Sequence, residues 1–205
     1  MKSYIIGLTG QSGAGKTTVC EAFENCGFHI INADLVSRYI TENNKDCLNE
    51  LKVTFGDEYI ENGVLNRRKL GSLVFSDKKE LNKLMAITFP YIIDEINRRV
   101  EKIGNNNNII VIDAPTLFES GLNKHCDKIV SVVADEALRL NRIINRDDIS
   151  YDEVKKRFAS QLTEKFFKEN SDFLIENNNS ESDLKDKAVS IAEEIKEIYY
   201  GKKEE

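Results

Sequence analysis

The chain has 205 residues, 40% hydrophobic and 31% charged, with a net charge of −6 and four cysteines, which fits one soluble globular domain, with room for an inserted lobe and a proper core. A general nucleic-acid binder would be basic, and no apolar run approaches the roughly 20 residues of a membrane span or the hydrophobic region of a signal peptide. Scattered Cys20, Cys26, Cys47 and Cys126, with His29 and His125, give no metal-ligand spacing, so the expectation is a cytoplasmic protein with reduced thiols and neither a nucleic-acid nor a membrane partner.

The first predicted element is an apolar strand, Tyr4-Ile5-Ile6-Gly7-Leu8. It runs into Gly10-Gln11-Ser12-Gly13-Ala14-Gly15-Lys16-Thr17, which fits G-x-x-x-x-G-K-[ST] at every fixed position and is followed by Thr18. Glycines there leave backbone N–H groups free to turn inward around an anion, and the N-terminus of the following helix points the same way. Lys16 is placed to reach the β- and γ-phosphates of a nucleoside triphosphate. The Thr17 hydroxyl is placed to ligate a magnesium ion that bridges them.

A helix follows over Thr17 to Asn25, with Gly27 placed to end it. The next strand, Phe28 to Asn32, leads directly into Ala33-Asp34, which puts Asp34 at a carboxyl-terminal strand edge, where parallel α/β sheets bind ligands. From Asp34 to about Gly104 the pattern is helical, with no strand run, a turn at Asn62-Gly63, and a division between two helices at Phe89-Pro90. About 65 residues of helix between strands read as a small lobe.

After a polar loop at Gly104 to Asn108, Ile109-Ile110-Val111-Ile112-Asp113 is a buried strand ending in an acid, of Walker B form. Asp113 is a metal-shell acid or only the end of a strand. Lys128 to Ala134 is a further strand, and Glu136 to Arg146 a helix with Arg139, Arg142 and Arg146 on one face. Ser150 to Lys168 reads as a charged helix opened by a capping box, Ser150-Tyr151-Asp152-Glu153. A short strand at Asp172 to Ile175, a turn at Asn177 to Asn179, an amphipathic helix from Leu184 to Tyr200 and a frayed tail from Gly201 close the chain. The sum is an α/β fold, a doubly wound parallel sheet of five strands with two helical elaborations.

A phosphate loop alone gives nucleotide binding. No guanine-reading N-K-x-D is present, and small size with a single motif set argues against a motor or transporter. A small phosphotransferase remains, in which a lobe and a lid exclude water, a carboxylate such as Asp34 takes the proton of an alcohol acceptor, and arginines neutralise the transferring charge. Another small-molecule or nucleoside monophosphate kinase, and a nucleotide-dependent module without catalysis, are the competing readings.

Beyond the loop, the stretches NADLVSR, NGVLNRRKLGSLVF, DAPTLFESGL, RIINRDD, SQLTEK and DFLIENN resemble the dephospho-coenzyme A kinase family over nearly the whole chain. The resemblance implies a P-loop kinase core with a helical acceptor-binding lobe and a helical lid. It implies transfer of the γ-phosphoryl of ATP, with Mg²⁺, to the ribose 3′-hydroxyl of dephospho-coenzyme A, in the last step of coenzyme A synthesis. By matching position it implies Asp34 as general base and Arg38 near the acceptor. Arg142 and Arg146 fall at the entry to the lid, with Arg146 on the ATP phosphates. Gln161 and Lys165 fall on the lid, Asn177 near the adenine, and Pro115, Leu117 and Glu119 on the turn that faces the acceptor.

Nucleotide contacts are expected from Gly10, Ser12, Gly13, Ala14, Gly15, Lys16, Thr17 and Thr18. Asn32, Thr116 and Phe89 depart from the family pattern, which carries an acid, a leucine and a histidine at those places. The expected layout is one domain, with a core of about 1–42, 105–145 and 171–203, an acceptor lobe of about 43–104 and a lid of about 146–170, in a monomer or weak homo-oligomer.

Overall fold

Strand β1 (Tyr4–Gly10) is buried along its whole length, as an unbroken apolar run in a parallel sheet requires. The computed structural model describes residues 3–74, 77–104 and 108–201. The chain divides into two units, Met1–Ile30 with Gly104–Glu205, and Ile31–Ile103. Residues 105–107 of the expected polar loop and 202–205 of the expected tail lie outside the described residues; Gly201 itself ends a helix.

After β1 come helix α1 (Lys16–Asn25) and strand β2 (His29–Asn32), which leads into the second unit. That unit holds α2 (Ala33–Asn43), α3 (Lys45–Phe55), a small antiparallel pair β3 (Ile60–Glu61) and β4 (Val64–Leu65), α4 (Arg67–Val74) and α5 (Lys78–Ile103). Its core is built from one stripe of each helix: Val36 and Ile40, Leu48 and Leu51, Leu70 and Val74, Ile92 and Ile96, all buried. Helix α2, counted with the core in the expected layout, falls in this unit.

Two expectations fail here. A hairpin stands where no strand was expected, because two-residue strands are too short to show a period. Its turn is the expected one, with Asn62 and Gly63 both at positive φ (52° and 78°). Pro90 does not divide two helices either, and α5 runs through it for 26 residues. A proline inside a helix costs about 3 kcal/mol. Burial of Ile92 and Ile96, at roughly 1.5–3 kcal/mol each, offsets it.

The first unit resumes with β5 (Ile109–Asp113), β6 (Lys128–Val133), α6 (Glu136–Asp147), α7 (Tyr151–Ala159), α8 (Glu164–Asn170), β7 (Phe173–Glu176) and α9 (Glu181–Gly201). The sheet order is β2-β5-β1-β6-β7. Strand β1 pairs in parallel with β5 and β6, and β6 with β7. This is the α/β fold with a parallel five-stranded sheet that the alternation of elements predicts. Ile6, Leu8, Val19, Phe23, Val111, Val130, Val132, Leu184, Ala188 and Ile195 fill the layer between the sheet and the α1–α9 pair, and Tyr4 stacks on Tyr199 at 5.3 Å.

The single charged helix expected over Ser150 to Lys168 is two. The capping box at Ser150 and Glu153 starts α7 as expected. The chain then breaks at Ser160 to Leu162, and the Thr163 side chain caps α8 by accepting the Phe166 N–H at 3.2 Å. Among the described residues no helix is long and apolar enough to cross a membrane.

Candidate active site

The loop between β1 and α1 is shaped by conformations that only glycine takes readily. Gly13 and Gly15 sit at φ 77° and 101°. A Cβ on Gly15 would also lie 2.5 Å from the Asn177 side-chain nitrogen. Helix α1 therefore begins without a capping side chain and without an acid in its first turn. The N–H groups of Gly13, Gly15, Lys16 and Thr17 have no acceptor among the described residues. Uncompensated donors at a helix N-terminus are what an anion binds.

The carbonyl side of the same loop is occupied. Arg139, 6% exposed, donates through Nε to the Ala134 carbonyl at 3.0 Å and through Nη1 to the Ser12 carbonyl at 3.5 Å, with its guanidinium 4.2 Å from the Phe158 ring centroid. Arg142 Nη1 donates to the Gly13 carbonyl at 3.4 Å and to the Asn177 carbonyl at 3.3 Å. The Asn177 side chain, also buried, donates to the Ala14 carbonyl at 2.8 Å. Cations and an amide on the carbonyls of Ser12, Gly13 and Ala14 fix the peptide planes so that the N–H groups face the other way. The three arginines of α6 thus differ: Arg139 is buried, Arg142 holds the loop, and Arg146 is exposed and paired with Asp147 at 2.7 Å.

Lys16 Nζ is paired with Asp113 Oδ1 at the end of β5, both side chains largely buried. Asp113, a metal-shell acid or only the end of a strand by its sequence, is thus the ion-pair partner of the loop lysine. Thr17 is exposed and its hydroxyl makes no hydrogen bond among the described residues. No cluster of three His, Cys, Asp or Glu able to hold a metal occurs among the described residues. A single threonine hydroxyl at the start of α1 fits magnesium, which keeps most of its waters and needs few protein ligands.

After β5, the Pro115 carbonyl accepts the Thr9 hydroxyl at 3.2 Å. Leu117 is fully buried, with its methyls where a Cβ on Gly7 would be, so it acts as core. Glu119 has a pKa raised by desolvation. Phe118 meets Phe166 of α8 edge-on at 5.0 Å. Gln161, in the break between α7 and α8, accepts the Ser12 N–H at 3.3 Å. Lys165 is exposed, 3.7 Å from Glu169. The structure thus brings Ser12, Gly13, Ala14, Gly15, Lys16, Asp113, Arg142, Gln161 and Asn177 together and leaves Arg146 and Lys165 at the surface.

Asp34 and Arg38 belong to the second unit. Both are exposed on α2, Asp34 in its first turn and Arg38 3.9 Å from Glu42. Asn32 is the N-cap of that helix, accepting the Leu35 N–H at 2.9 Å. Asparagine caps as well as aspartate, so the departure keeps the local geometry around Asp34. Phe89, the other departure, is half-buried within α5. One residue that motif reading passes over is Arg67 at the start of α4, whose Nε and Nη2 donate to Thr41 Oγ1 at 3.0 and 2.6 Å. It stands in the NGVLNRRKLGSLVF stretch, where the resemblance assigns it no role, and its local signal is a basic pair, Arg67-Arg68, of a kind common on exposed helices.

The family model described as dephospho-CoA kinase matches residues 4–183. A dephospho-CoA kinase of Fusobacterium nucleatum is 38% identical over 196 residues, covering 95% of this chain and all of the relative. Among solved structures, a Thermus thermophilus protein matches with TM-score 0.80 at 27% identity, covering 95% of this chain and 98% of its own. Dephospho-CoA kinase from Campylobacter jejuni matches with TM-score 0.71 at 27% identity, covering 97% and 98%.

Proposed function

The chain belongs to the dephospho-CoA kinase family and is a kinase that moves phosphate from ATP to dephospho-CoA, and from that premise we propose which residues carry the transfer and where on the acceptor it lands. The acceptor atom is the ribose 3′-hydroxyl, and the product is coenzyme A. The observation that carries the reading is the loop itself: free N–H donors on one side, with Arg139, Arg142 and Asn177 fixing the carbonyls on the other.

In this reading the β- and γ-phosphates of ATP fill the ring of donors from Gly13 to Thr17, and Lys16 exchanges Asp113 for a phosphate oxygen. The donors stand oriented before the charge arrives, so little reorganisation opposes the reaction. Thr17 would help to hold a magnesium ion, which when bound would supply positive charge beside the phosphates. Arg142 keeps the loop in shape, and Arg146, exposed and paired with Asp147, is free to exchange that carboxylate for a phosphate. Asp34 takes the proton of the 3′-hydroxyl as it attacks, and Arg38 holds the acceptor near it. Gln161 leaves the Ser12 N–H when phosphate needs that donor. Adenine lies near Asn177.

The test is a coupled ADP-release assay with magnesium-ATP, comparing dephospho-coenzyme A, adenosine, nucleoside monophosphates and no acceptor. ADP release that depends on dephospho-coenzyme A, with a product of coenzyme A mass, is the expected result. Turnover of nucleoside monophosphates alone would reassign the acceptor.

A further inference from the structure

The corner where α6 gives way to α7 holds an ion cluster whose second arginine, Arg157, has no role in the reading above. Asp147, the last residue of α6, accepts Arg146 Nε on Oδ1 at 2.7 Å and Arg146 Nη2 on Oδ2 at 3.1 Å. The same Oδ2 accepts Arg157 Nη1 of α7 at 2.8 Å. One carboxylate oxygen is thus shared by two guanidiniums. Neither arginine has another carboxylate partner among the described residues, so the cluster keeps a positive charge.

The pairing within α6 is not one that a helix builds. Neighbouring helical residues do not face each other, so Arg146 reaches Asp147 around the helix and not along it. Asp148, at φ 51°, ends α6 directly afterwards. Arg146 first and Arg157 second hold the Asp147 carboxyl far below the usual carboxylate range, and it stays an anion. All three side chains reach solvent, Arg146 most of all. Ion pairs of this kind are weak and screened by salt, so they exchange readily for a stronger anion.

Both arginines stand beside groups that touch the phosphate loop. Arg142, one turn before Arg146, donates to the Gly13 carbonyl at 3.4 Å. Gln161, four positions after Arg157, accepts the Ser12 N–H at 3.3 Å. Between them, the Phe158 ring lies against Arg139, which donates to the Ser12 carbonyl. A helical turn rises only about 5.4 Å, which the length of an arginine side chain covers.

We infer that Asp147 holds the place of a nucleotide phosphate on Arg146 and Arg157, and so competes with ATP from within the chain; the inference rests on the kinase reading above. Arginine forks bind phosphate oxygens as they bind carboxylates, so the same donors serve either partner. Without nucleotide, the carboxylate keeps two like charges from repelling each other. With nucleotide, phosphate does so and the carboxylate is released. Arg157 is then a second cation on the phosphates, and Asp147 a positioning residue that acts through both arginines.

Calorimetric titration of the full chain with magnesium-ATP, without acceptor, tests this. Asp147→Asn keeps the shape of the side chain, removes the competing charge and lowers Kd for ATP about 3-fold or more. Asp148→Asn makes the same change of net charge at the next position, where no arginine is paired, and leaves Kd unchanged. Arg157→Gln raises Kd about 10-fold. A merely structural Asp147 would give the opposite sign, weaker ATP binding with a lower urea midpoint. An unchanged or raised Kd in Asp147→Asn overturns the inference, as does an unchanged Kd in Arg157→Gln or equal tightening in both Asn variants, which would assign the effect to overall charge. Arg146→Ala separates the inference from the reading beneath it. If that variant weakens ATP binding and Asp147→Asn does not strengthen it, only the inference falls; if ATP affinity ignores Arg146, the placement of Arg146 on the phosphates falls with it. Asp147→Ser, a smaller neutral residue at the same helix end, takes the place of Asp147→Asn should that variant not fold.

Discussion

Asp34 and Asn177 illustrate two ways in which a residue can matter to phosphoryl transfer. Asp34 is exposed, lies in the first turn of α2 and has no structural burden. Its replacement by Asn should leave ATP affinity unchanged and lower kcat about 100-fold, as loss of a general base does. Single-turnover kinetics read this, and a near-normal rate would remove Asp34 from that role. Asn177 is buried and ties the Ala14 carbonyl in place. Asn177→Ala leaves that carbonyl unpaired, which should cost about 1–3 kcal/mol in urea unfolding and weaken ATP binding by calorimetry, with the chemical step unaffected once ATP saturates. A variant as stable as the parent would mean that water replaces the amide.

The difference between these residues also explains what could be read beforehand. The phosphate loop was legible because its demands are local: glycines, a lysine and a threonine within eight positions. The hold of Asn177 on Ala14 spans 163 residues, and no periodicity carries such a link. Arg139 was visible as one of three cations on a face, but nothing in the spacing told the buried arginine from the exposed one.

At the scale of elements, strands and amphipathic helices were legible from their apolar periods, and the misses have a common cause. Proline at position 90 forbids one hydrogen bond, a local cost that the buried stripe of Ile92 and Ile96 after it outweighs. Relieving that cost is measurable. Pro90→Ala should restore the helix donor and stabilise the protein by about 1–3 kcal/mol, seen as a shift of the urea midpoint without a change in slope. A lower midpoint would show that the proline itself is required by the packing of α5 on α2 and α3. The break between α7 and α8 had a signal, Thr163 at an N-cap position, hidden by charged residues that suit helix throughout.

For the whole molecule, burial governs the response to alkali. Desolvation pushes the thiols of Cys20 and Cys47 up to about 11 and that of Cys126 to about 12, from an ordinary 9.0. In the unfolded chain they ionise near the ordinary value, so above it the unfolded state loses protons that the folded state keeps. The stability they contribute is whole below pH 9 and declines as the pH rises toward 11 and 12. Thermal unfolding from pH 7 to 11 should show this decline, made shallower by Cys126→Val. At pH 8 the same three thiols should resist alkylation until the protein unfolds. Rapid labelling of Cys126 in the native state would contradict the burial.

The sheet order has a consequence for how the chain is made. Strand β1 leaves the ribosome before both its neighbours, β5 and β6, which lie more than a hundred positions downstream. At about 5–20 residues per second it waits roughly 5–20 s for its first partner between the two, with an apolar run exposed throughout. The loop it carries waits longer still, because Asn177 follows both of those strands in the chain. The carbonyl side of the phosphate loop is therefore completed only after β5 and β6 have been made, so the loop takes its final shape late in synthesis.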